Sequence, residues 1–316
     1  MNNQADISII IVSWNVCELL RNCLNSIYSN VNHLKFEIIV VDNNSFDNTV
    51  KTIKNEFPNI ILIENKSNVG FAKANNQGIN IAQGEFILFL NPDTLVKNKA
   101  LFKMYLEFKK DKNVGLLGPK VIFPTGEIQF PCARKLPSLT YKLLCTSFRF
   151  HQIPFIGVKI NKLLSYPYDY QKSQYVEAIS GAVMLTKNHI IAEVGGFGEN
   201  FIHTGEDTEL CYRISKNGYQ IKYIHDVEII HLVGQSTKKA KVNTEINSAL
   251  SVEKYFLFTG SNLKAKSYKF ITIFIETPIS IIISFLKWLL KKNSSEEFKE
   301  TLQISKGKLL WKQIEN

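Results

Sequence analysis

The chain has 316 residues, of which 45% are hydrophobic and 21% are charged, and these proportions exclude a disordered or fibrous protein. Its formal charge of +10 favours an anionic partner, but no Arg-Gly or aromatic–basic interleaving indicates nucleic acid. The five cysteines are odd in number and lack CxxC spacing, which favours reduced cytosolic thiols over a disulfide frame or a zinc site. No basic region precedes the short apolar run Ile7–Val12, so this run is expected to be a first strand and not a signal peptide.

Buried strands and amphipathic helices alternate over the first third of the chain. Apolar runs bounded by polar residues predict strands covered on both faces, and these are Ile7–Val12, Phe36–Val41, Ile60–Ile63 and Phe86–Leu90. Apolar residues at helical spacing predict the helices between them, the third of which runs from Asn68 to about Ala82. Four alternations with short joins predict an α/β, Rossmann-like fold with a mostly parallel central sheet flanked by helices.

Polar residues follow three of these strands. They are Ser13 and Asn15 after the first, Asp42, Asn43 and Ser45 after the second, and Asn91 and Asp93 after the fourth. Because the carboxyl ends of parallel strands share one edge, these side chains are expected to converge where open α/β sheets bind ligands. Pro92 cannot continue a central strand, so Asp93 either holds a divalent cation against a diphosphate or closes an Asx turn. Neither GxGxxG after the first strand nor GxxxxGK[ST] occurs, so dinucleotide and P-loop sites are poorly supported.

Small residues mark two places where a ligand could come close to the backbone. Gly70 opens the third helix, either as a helix-start turn or as a backbone position kept bare for a ligand. Val176–Leu185 predicts a strand with Gly181 and Ala182 at its centre, which weakens the strand unless something packs close. Between them, Pro131–Gln174 lacks clear periodicity and predicts long loops over a site.

Three further titratable candidates, Glu206, Asp207 and His231, follow in the sequence. The run EDTEL starts a helix, where Glu206 and Asp207 are either partners of the helix dipole or cleft carboxylates, one of which stays ionised as a base. Strands predicted over Ile221–Ile224 and Val227–Ile230 end in His231, which is either structural or a ligand.

Seven short motifs occur in order along the chain: ISIIIVSWN, VVDNNSFDNT, NVGFAKANNQGI, FLNPD, SGAVML, GGFGENF…GEDTELCYR and HLVGQS. The set resembles the family 2 glycosyltransferases with the GT-A fold, and most of all the rhamnosyltransferase-like branch that builds bacterial surface polysaccharide. The resemblance runs from about Ile7 to Ser236. It implies a GT-A catalytic domain over residues 1–245, with a nucleotide-binding half over 1–115 and an acceptor half over 116–245, which leaves residues 246–316 as a C-terminal helical tail.

The resemblance also implies roles for individual residues. Asp42 matches the carboxylate that reads the pyrimidine of a nucleotide sugar. Asp93 matches the last Asp of a DxD-type motif that holds Mg²⁺ or Mn²⁺, His231 matches a further metal ligand, and Asn91 stands where that motif has its first carboxylate. Asp207 matches the catalytic base, with Glu206 beside it. Matches to segments that line the nucleotide, the ribose and the donor sugar are Ser13, Asn15, Asn43, Ser45, Asn68, Gly70, Phe71, Asn75, Asn91, Gly181 and Ala182.

These roles imply an inverting, metal-dependent glycosyltransferase that moves a sugar, rhamnose in the matching branch, from a dTDP- or UDP-sugar to a saccharide or lipid-linked acceptor. Such a transfer needs one base for the acceptor hydroxyl and one cation for the leaving diphosphate, without the second carboxylic acid of a glycosidase. A sugar nucleotidyltransferase would share the sheet and the metal carboxylate, but it would want a basic Gly-rich loop where SWNVCELL stands. An inactive GT-A-like binding protein is disfavoured because Asp93 and Asp207 are both present.

The last part of the chain is apolar and basic. Residues 261–316 carry ten Lys and five Glu, and Lys269–Lys292 is the most apolar stretch, interrupted by Glu276 and Pro278. The residues Ser280, Ser284, Lys287 and Lys291 form one polar stripe along this stretch. The pattern predicts a helix in the interface of an anionic membrane, which places the enzyme at the inner face of the cell membrane. A helix packed on the catalytic domain stays open, and the Glu and Pro disfavour a full span.

Overall fold

A computed structural model describes residues 5–31, 33–149, 155–156, 159–160, 168–201, 204–232 and 238–311. Part of the loops predicted over Pro131–Gln174 lies outside these residues, and so do Val233–Ser236 of the last motif. The chain divides into two compact units. The first comprises Met1–Leu136, Tyr168–Ile202 and Glu206–Val233, and the second comprises Pro137–Pro167, His203–Gly205 and Gly234–Asn316. The functional division at residue 245 stays a prediction.

The first unit is built on a twisted sheet of nine strands. In chain order the strands of this unit are β1 Ile7–Ser13, β2 Phe36–Asp42, β3 Ile61–Glu64, β4 Phe86–Leu90, β5 Thr94–Val96, β6 Val114–Ile122, β7 Ala133–Arg134, β8 Gln174–Val176, β9 Ala178–Ile179, β10 Val183–Lys187 and β11 Gln220–His231. The sheet order is β3-β2-β1-β4-β10-β6-β11-β5, with β8 also paired to β11, while β7 and β9 form a separate two-stranded sheet. The strands β1 to β4 are parallel and β6 and β11 run with them, whereas β5, β8 and β10 run the other way. The predicted α/β fold with a mostly parallel sheet is confirmed.

Helices cover the sheet because its central strands are apolar on both faces. Every residue of β4 is buried, as a strand between two layers of helices must be. The helices of the first unit are Cys17–Asn30, Thr49–Glu56, Phe71–Ile81, Ala100–Lys109, Asn188–Val194 and Glu206–Lys216. The third of these packs closely on β1, since a Cβ added at Gly78 would lie 2.6 Å from Ile10 Cγ2. Local hydrophobic periodicity is therefore enough to predict β1 to β4 and the helices between them.

Three predicted elements differ from the structure. The strand predicted over Val176–Leu185 is divided into β8, β9 and β10, because these pair with β11, with β7, and with β4 and β6 respectively. Gly181 and Ala182 consequently lie in the turn before β10 and not within a strand. The two strands predicted up to Ile230 are one, β11, whose register against β6 shifts between Ile224 and Glu228. The apolar spacing over Lys97–Lys110 predicts a helix, which in the structure is Ala100–Lys109, since Lys99 has a left-handed backbone with φ 58°.

The second unit is helical in its described part. Its helices are Leu139–Tyr141, Lys238–Phe258, Asn262–Phe270, Thr277–Leu289 and Ser295–Leu310, with π-helical segments at Lys142–Ser147 and Ile271–Glu276. A small core of Val242, Ile246 and Leu250 packs against Ile304 and Trp311. Asn262–Leu289 is long and apolar enough to cross a membrane, as judged by length and composition. That stretch contains most of the predicted interfacial helix.

All five cysteines lie in described parts of the chain, where they are buried and free. Burial raises the pKa of the Cys23 thiol to about 12 and does the same to that of Cys211. Neutral, buried thiols behave as small apolar side chains. The sequence-based expectation of unpaired thiols is therefore confirmed for all five.

Candidate active site

Two neighbouring strand ends place a carboxylate and a hydroxyl in register. Ser13 is the last residue of β1 and Asp42 the last of β2, and they are direct partners in the parallel ladder. Both side chains are buried, with Asp42 only 2% exposed. Asp42 Oδ2 accepts a hydrogen bond of 2.8 Å from the backbone N–H of Ser45, but Asp42 Oδ1 and Ser13 Oγ find no hydrogen-bond partner among the described residues. A buried polar atom without a partner is costly, so both atoms have hydrogen-bonding capacity left for a ligand.

The loop after β2 is fastened to the end of β1. Asn15 has a left-handed backbone with φ 54°, and its N–H donates to Ser45 Oγ over 2.9 Å. Its side-chain Oδ1 in turn accepts from the N–H of Phe46 over 2.9 Å. Asn15 and Ser45 thus hold the two loops together, and their predicted contact with a nucleotide stays a prediction. Asn43 continues the network, since its backbone N–H donates to Ser13 O and its side chain donates to Gly70 O.

The segment that opens the third helix lies beside this network. Gly70 has φ 85° and its surroundings are open, so glycine is required there by its backbone conformation and not by lack of space. Asn68 is exposed and accepts a bond from the N–H of Gly70. The other two residues predicted to contact a ligand, Phe71 and Asn75, face the protein interior. The Phe71 ring packs edge-on against Phe197, and buried Asn75 donates to Phe71 O within its own helix. Asn68 and Gly70 are therefore better placed to line a ligand.

A second cluster joins the end of β4 to the end of β11. His231 Nε2 lies 2.9 Å from Asp93 Oδ1 and 3.4 Å from Asn91 Nδ2, while His231 Nδ1 lies 2.8 Å from Gln129 Oε1. The short strand β5 creates this arrangement, because Thr94 pairs with His231 and the N–H of Leu232 donates to Asp93 O. The structure therefore brings together Asn91, Asp93 and His231, as the sequence predicts.

The donor set of this cluster fits a divalent cation. With Gln129 Oε1 accepting from Nδ1–H of His231, a neutral ring would keep its lone pair on Nε2, the nitrogen that faces Asp93 Oδ1. Two acceptors 2.9 Å apart need a proton or a cation between them. In the described part of the chain no group of three or more His, Cys, Asp or Glu side chains could hold a metal. One carboxylate and one imidazole are still sufficient when phosphate oxygens and water complete the shell, as is usual for Mg²⁺.

A third cluster surrounds Asp207 at the start of the helix Glu206–Lys216. Its Oδ1 is 2.6 Å from Arg134 Nη2 and accepts a 2.6 Å bond from the N–H of Thr208, and also accepts from Thr208 Oγ1. Among the described residues its Oδ2 accepts one bond, of 2.9 Å, from the N–H of Gly181. A Cβ at Gly181 would lie 3.3 Å from that oxygen, so the small residue allows the close approach. Because a carboxylate oxygen has about two lone pairs, Oδ2 can accept from a further hydroxyl.

The charge of Asp207 is fixed by Arg134. Burial by itself would raise the pKa of the Asp207 carboxyl, but the Arg134 guanidinium and the N–H groups of Gly181 and Thr208 outweigh it, so the pKa is lowered. The side chain of Asp207 is still 19% exposed. It is therefore an ionised carboxylate that a substrate can reach.

The other two acids of this helix are buried more deeply. Glu206 is 5% exposed, so Asp207 is the acid with the open face. Glu209 is 1% exposed and pairs with Arg213, which also donates to Val194 O and Gly196 O. Glu209 is thus part of the connection between the helix and the Gly195–Gly196 turn, and this explains the third acid of EDTEL.

The turn at Gly181 and Ala182 connects the second and third clusters. The N–H of Gly181 donates to Asp207, and Ala182 O accepts a 2.9 Å bond from the N–H of Asn91. The strand that precedes Asn91, β4, pairs directly with β1, whose end carries Ser13. Asp42 and the Asp93–His231 pair therefore lie at one edge of one sheet, and Asp207 is joined to that edge through Gly181.

Two residues of the site were missed by the sequence analysis. Arg134 lies in the two-residue strand β7, at the start of the region without periodicity, and Gln129 lies just ahead of that region. Their partners Asp207 and His231 are 73 and 102 positions away in the sequence. No local signal identifies either residue, although an arginine among apolar neighbours in PCARKLP invites a search for a buried acid.

The fold of this chain is similar to that of solved GT-A glycosyltransferases. A mannosyltransferase from Pyrobaculum calidifontis, solved with GDP-Man and Mn²⁺, superposes with a TM-score of 0.59 at 16% identity, covering 98% of this chain and 86% of that one. The crystal structure of GalNAc-T7 with UDP, GalNAc and Mn²⁺ gives a TM-score of 0.55 at 16% identity, over 85% of this chain and 54% of that one. These likenesses establish the GT-A fold.

Residues 8–157 match the model of glycosyl transferase family 2, which confirms the family resemblance seen in the sequence. The poly-beta-1,6-N-acetyl-D-glucosamine synthase of Staphylococcus aureus (strain COL) is 27% identical over 69% of this chain and 47% of its own length. The O-antigen biosynthesis protein RfbC of Myxococcus xanthus is 24% identical over 80% of this chain and 19% of its own length. The chain thus spans about half the length of the first relative and a fifth of the second. The rhamnosyltransferase-like branch stays a prediction.

Proposed function

We propose that the chain is an inverting glycosyltransferase that transfers a sugar from a pyrimidine-nucleotide sugar, UDP- or dTDP-linked, to a hydroxyl of a saccharide or lipid-linked acceptor. The product would be a bacterial cell-surface polysaccharide. The names of the relatives support that setting, and rhamnose is the sugar suggested by the branch resemblance. The lipid-linked acceptor would be met at the cytoplasmic face of the membrane.

One observation carries the proposal: Asp42 Oδ1 and Ser13 Oγ are buried at the carboxyl edge of the sheet without a partner in the part of the chain that the structure describes. A uracil or thymine ring offers an N3–H donor between two carbonyl acceptors. The carboxylate oxygen can accept from that N3–H, and the hydroxyl can donate to a carbonyl beside it. The base would satisfy both atoms at once, and its diphosphate would extend towards Asp93 along the same edge.

The remaining residues divide the chemistry between them. Asp207 Oδ2 takes the proton of the acceptor hydroxyl. The hydroxyl oxygen attacks the anomeric carbon from the face opposite the diphosphate, whose bond to that carbon breaks, and the configuration is inverted. Arg134 and the N–H of Gly181 hold that carboxylate in place. Asp93 and His231 would hold Mg²⁺ or Mn²⁺, which when bound supplies positive charge for the leaving diphosphate.

The proposal is tested by ligand binding followed by turnover. Thermal-shift and calorimetric titrations with UDP-, dTDP- and GDP-sugars, each with Mn²⁺ or with EDTA, should favour the uracil and thymine nucleotides. A ligand at about 100 times its Kd stabilises the folded chain by about 2.7 kcal/mol, which is readily measured. Release of free nucleoside diphosphate from the bound nucleotide sugar then shows whether the chain is an enzyme or only a binding protein. No stabilisation by any of the three nucleotides would contradict the proposal.

Substitution of Asp93 or His231 should separate metal binding from base recognition. In Asp93→Ala we expect the Mn²⁺-dependent gain in nucleotide-sugar affinity to disappear while uridine, which has no diphosphate, binds as before. His231→Ala should weaken the same gain by about 10–100-fold. Calorimetry with and without Mn²⁺ measures both effects, and Asp111→Ala removes a carboxylate ahead of β6 as a control. Unchanged metal dependence in both site variants would place the cation elsewhere.

A further inference from the structure

The stretch Asn262–Leu289 of the second unit turns its polar side chains inward. Thr272, Glu276, Thr277 and Ser284 are all buried. Thr272 and Thr277 donate to backbone carbonyls within the helix, and Ser284 donates to Thr301 on the helix Ser295–Leu310. The sequence analysis places Ser284 with Lys287 and Lys291 on one polar stripe, and in the structure Ser284 is buried while both lysines are exposed. The side of the helix that packs on its own unit is the polar side.

The outward side of the same stretch is apolar. Its exposed side chains, which we call the apolar face, are Leu263, Phe270, Phe274, Ile282, Phe285, Leu286 and Leu289. Phe270 and Phe274 are 55% and 64% exposed and lie against each other. Scattered exposed apolar residues are normal, but a continuous stripe of this kind marks an interaction surface.

A buried ion cluster holds this orientation. Both Lys142 and Lys308 pair with the Glu276 carboxylate, and the side chains of Lys142 and Glu276 are only 9% and 8% exposed. Burial alone would raise the pKa of Glu276, but the two lysines outweigh it and lower the pKa. Rotating or withdrawing the helix would leave unpaired charges buried, which is strongly unfavourable. The apolar face therefore cannot turn inward.

Lysines at both ends of the apolar face identify its occupant. They are Lys264, Lys266 and Lys269 at one end and Lys287, Lys291 and Lys292 at the other. An anionic lipid surface complements this charge and accepts the apolar side chains below the headgroups. A second copy of the chain would bring the same lysines against one another and would be repelled. Trp288, whose ring stacks on Phe298 and whose Nε1 donates to Ser295, is an aromatic side chain suited to the headgroup level.

We propose that the second unit docks on an anionic bilayer through the apolar face, with the stretch Asn262–Leu289 lying in the interface and not crossing it. The length and composition of this stretch would also allow a span. A span, however, would surround all sides of the helix with lipid and would separate Glu276 from Lys142 and Lys308. The inference rests on the proposed function only for the nature of the acceptor, which would be lipid-linked.

Vesicle co-sedimentation of the full chain, without donor, tests the docking. We expect binding to vesicles of phosphatidylcholine with phosphatidylglycerol, weakened but not abolished by salt, and full release by alkaline carbonate. The double variant Phe270→Ser, Phe274→Ser should bind at least about tenfold more weakly. Leu106→Ser, which removes an exposed leucine of the first unit, should bind like the wild type.

Three results would overturn the docking proposal. They are equal binding of the double variant and the wild type, resistance of the wild type to carbonate, and a wild-type dimer in solution that the double variant converts to a monomer. The first removes the apolar face from membrane binding, the second indicates a span, and the third makes the face a contact between two copies. Nucleoside diphosphate release without vesicles tests the transferase activity separately, so failure of one proposal is distinguishable from failure of the other.

Discussion

Asp207→Asn is expected to lower turnover by roughly 10²–10⁴-fold, the usual scale for loss of a general base, while nucleotide-sugar binding is retained. The amide has the size of the carboxylate but no basic lone pair on the nitrogen. Oδ2 is the oxygen with capacity to take the acceptor proton, since Oδ1 already receives the bonds from Arg134 and Thr208. In the variant, the amide oxygen should turn towards Arg134 and leave the NH₂ group facing the N–H of Gly181.

The measurement pairs single-turnover release of nucleoside diphosphate with calorimetric titration of the donor. Asp111→Asn is the matched control, because this carboxylate precedes β6 and accepts bonds from the N–H of Asn113 and from Tyr175. The control should keep both turnover and donor affinity. Near-normal turnover in Asp207→Asn would remove Asp207 from the role of base, and lost donor binding would make it a donor contact.

Local sequence patterns are enough to predict the strands β1 to β4 and the residues that follow them. Each of these strands is an apolar run that ends in a polar cluster, and parallel pairing then brings Ser13 and Asp42 into register. The apolar run that forms each strand and the polar residues at its end are only a few residues apart in the sequence. The meeting of Asp93 with His231 is implied by the family resemblance and not by the local pattern, because β5, which aligns them, is only three residues long and gives no periodic signal.

Long-range pairings could not be predicted in this way. Gly181 looks like a residue in mid-strand, but its turn exists because β9 and β10 have different partners. In the second unit the sequence shows an amphipathic helix, yet which side faces inward depends on Glu276 meeting Lys142 and Lys308 from distant parts of the chain. A hydrophobic pattern shows that a helix has an apolar and a polar side, but it does not show which side packs on the rest of the protein.

Substitution of Arg134 should also have a large effect on turnover, because Arg134 holds Asp207, the proposed base, in place. In Arg134→Met we expect turnover to fall by roughly 10²-fold, since a carboxylate displaced by about 1 Å from its reactive position costs that much. Donor affinity should be unchanged. Arg134→Lys keeps the charge and should retain more of the activity, and Arg21→Met, which breaks surface pairs with Glu18 and Glu56, should have no effect on turnover.

The pH profile of these variants distinguishes an electrostatic role of Arg134 from a merely structural one. Arg134 lowers the pKa of Asp207 against the opposing effect of burial, so the proton-accepting form persists as the pH falls. Without the guanidinium, burial dominates and the pKa rises, which should move the acid limb of kcat/KM to higher pH in Arg134→Met but much less in Arg134→Lys. Stability follows the same sign: a carboxyl whose folded pKa is lowered stabilises the fold above its unfolded pKa, and this contribution is lost as the pH falls through the folded value. Arg134→Met should therefore lack the part of the wild type's acid destabilisation that comes from Asp207, as measured by thermal unfolding at several pH values. An unshifted acid limb in a variant that is folded, as judged by circular dichroism, would show that Arg134 does not set the charge of the base.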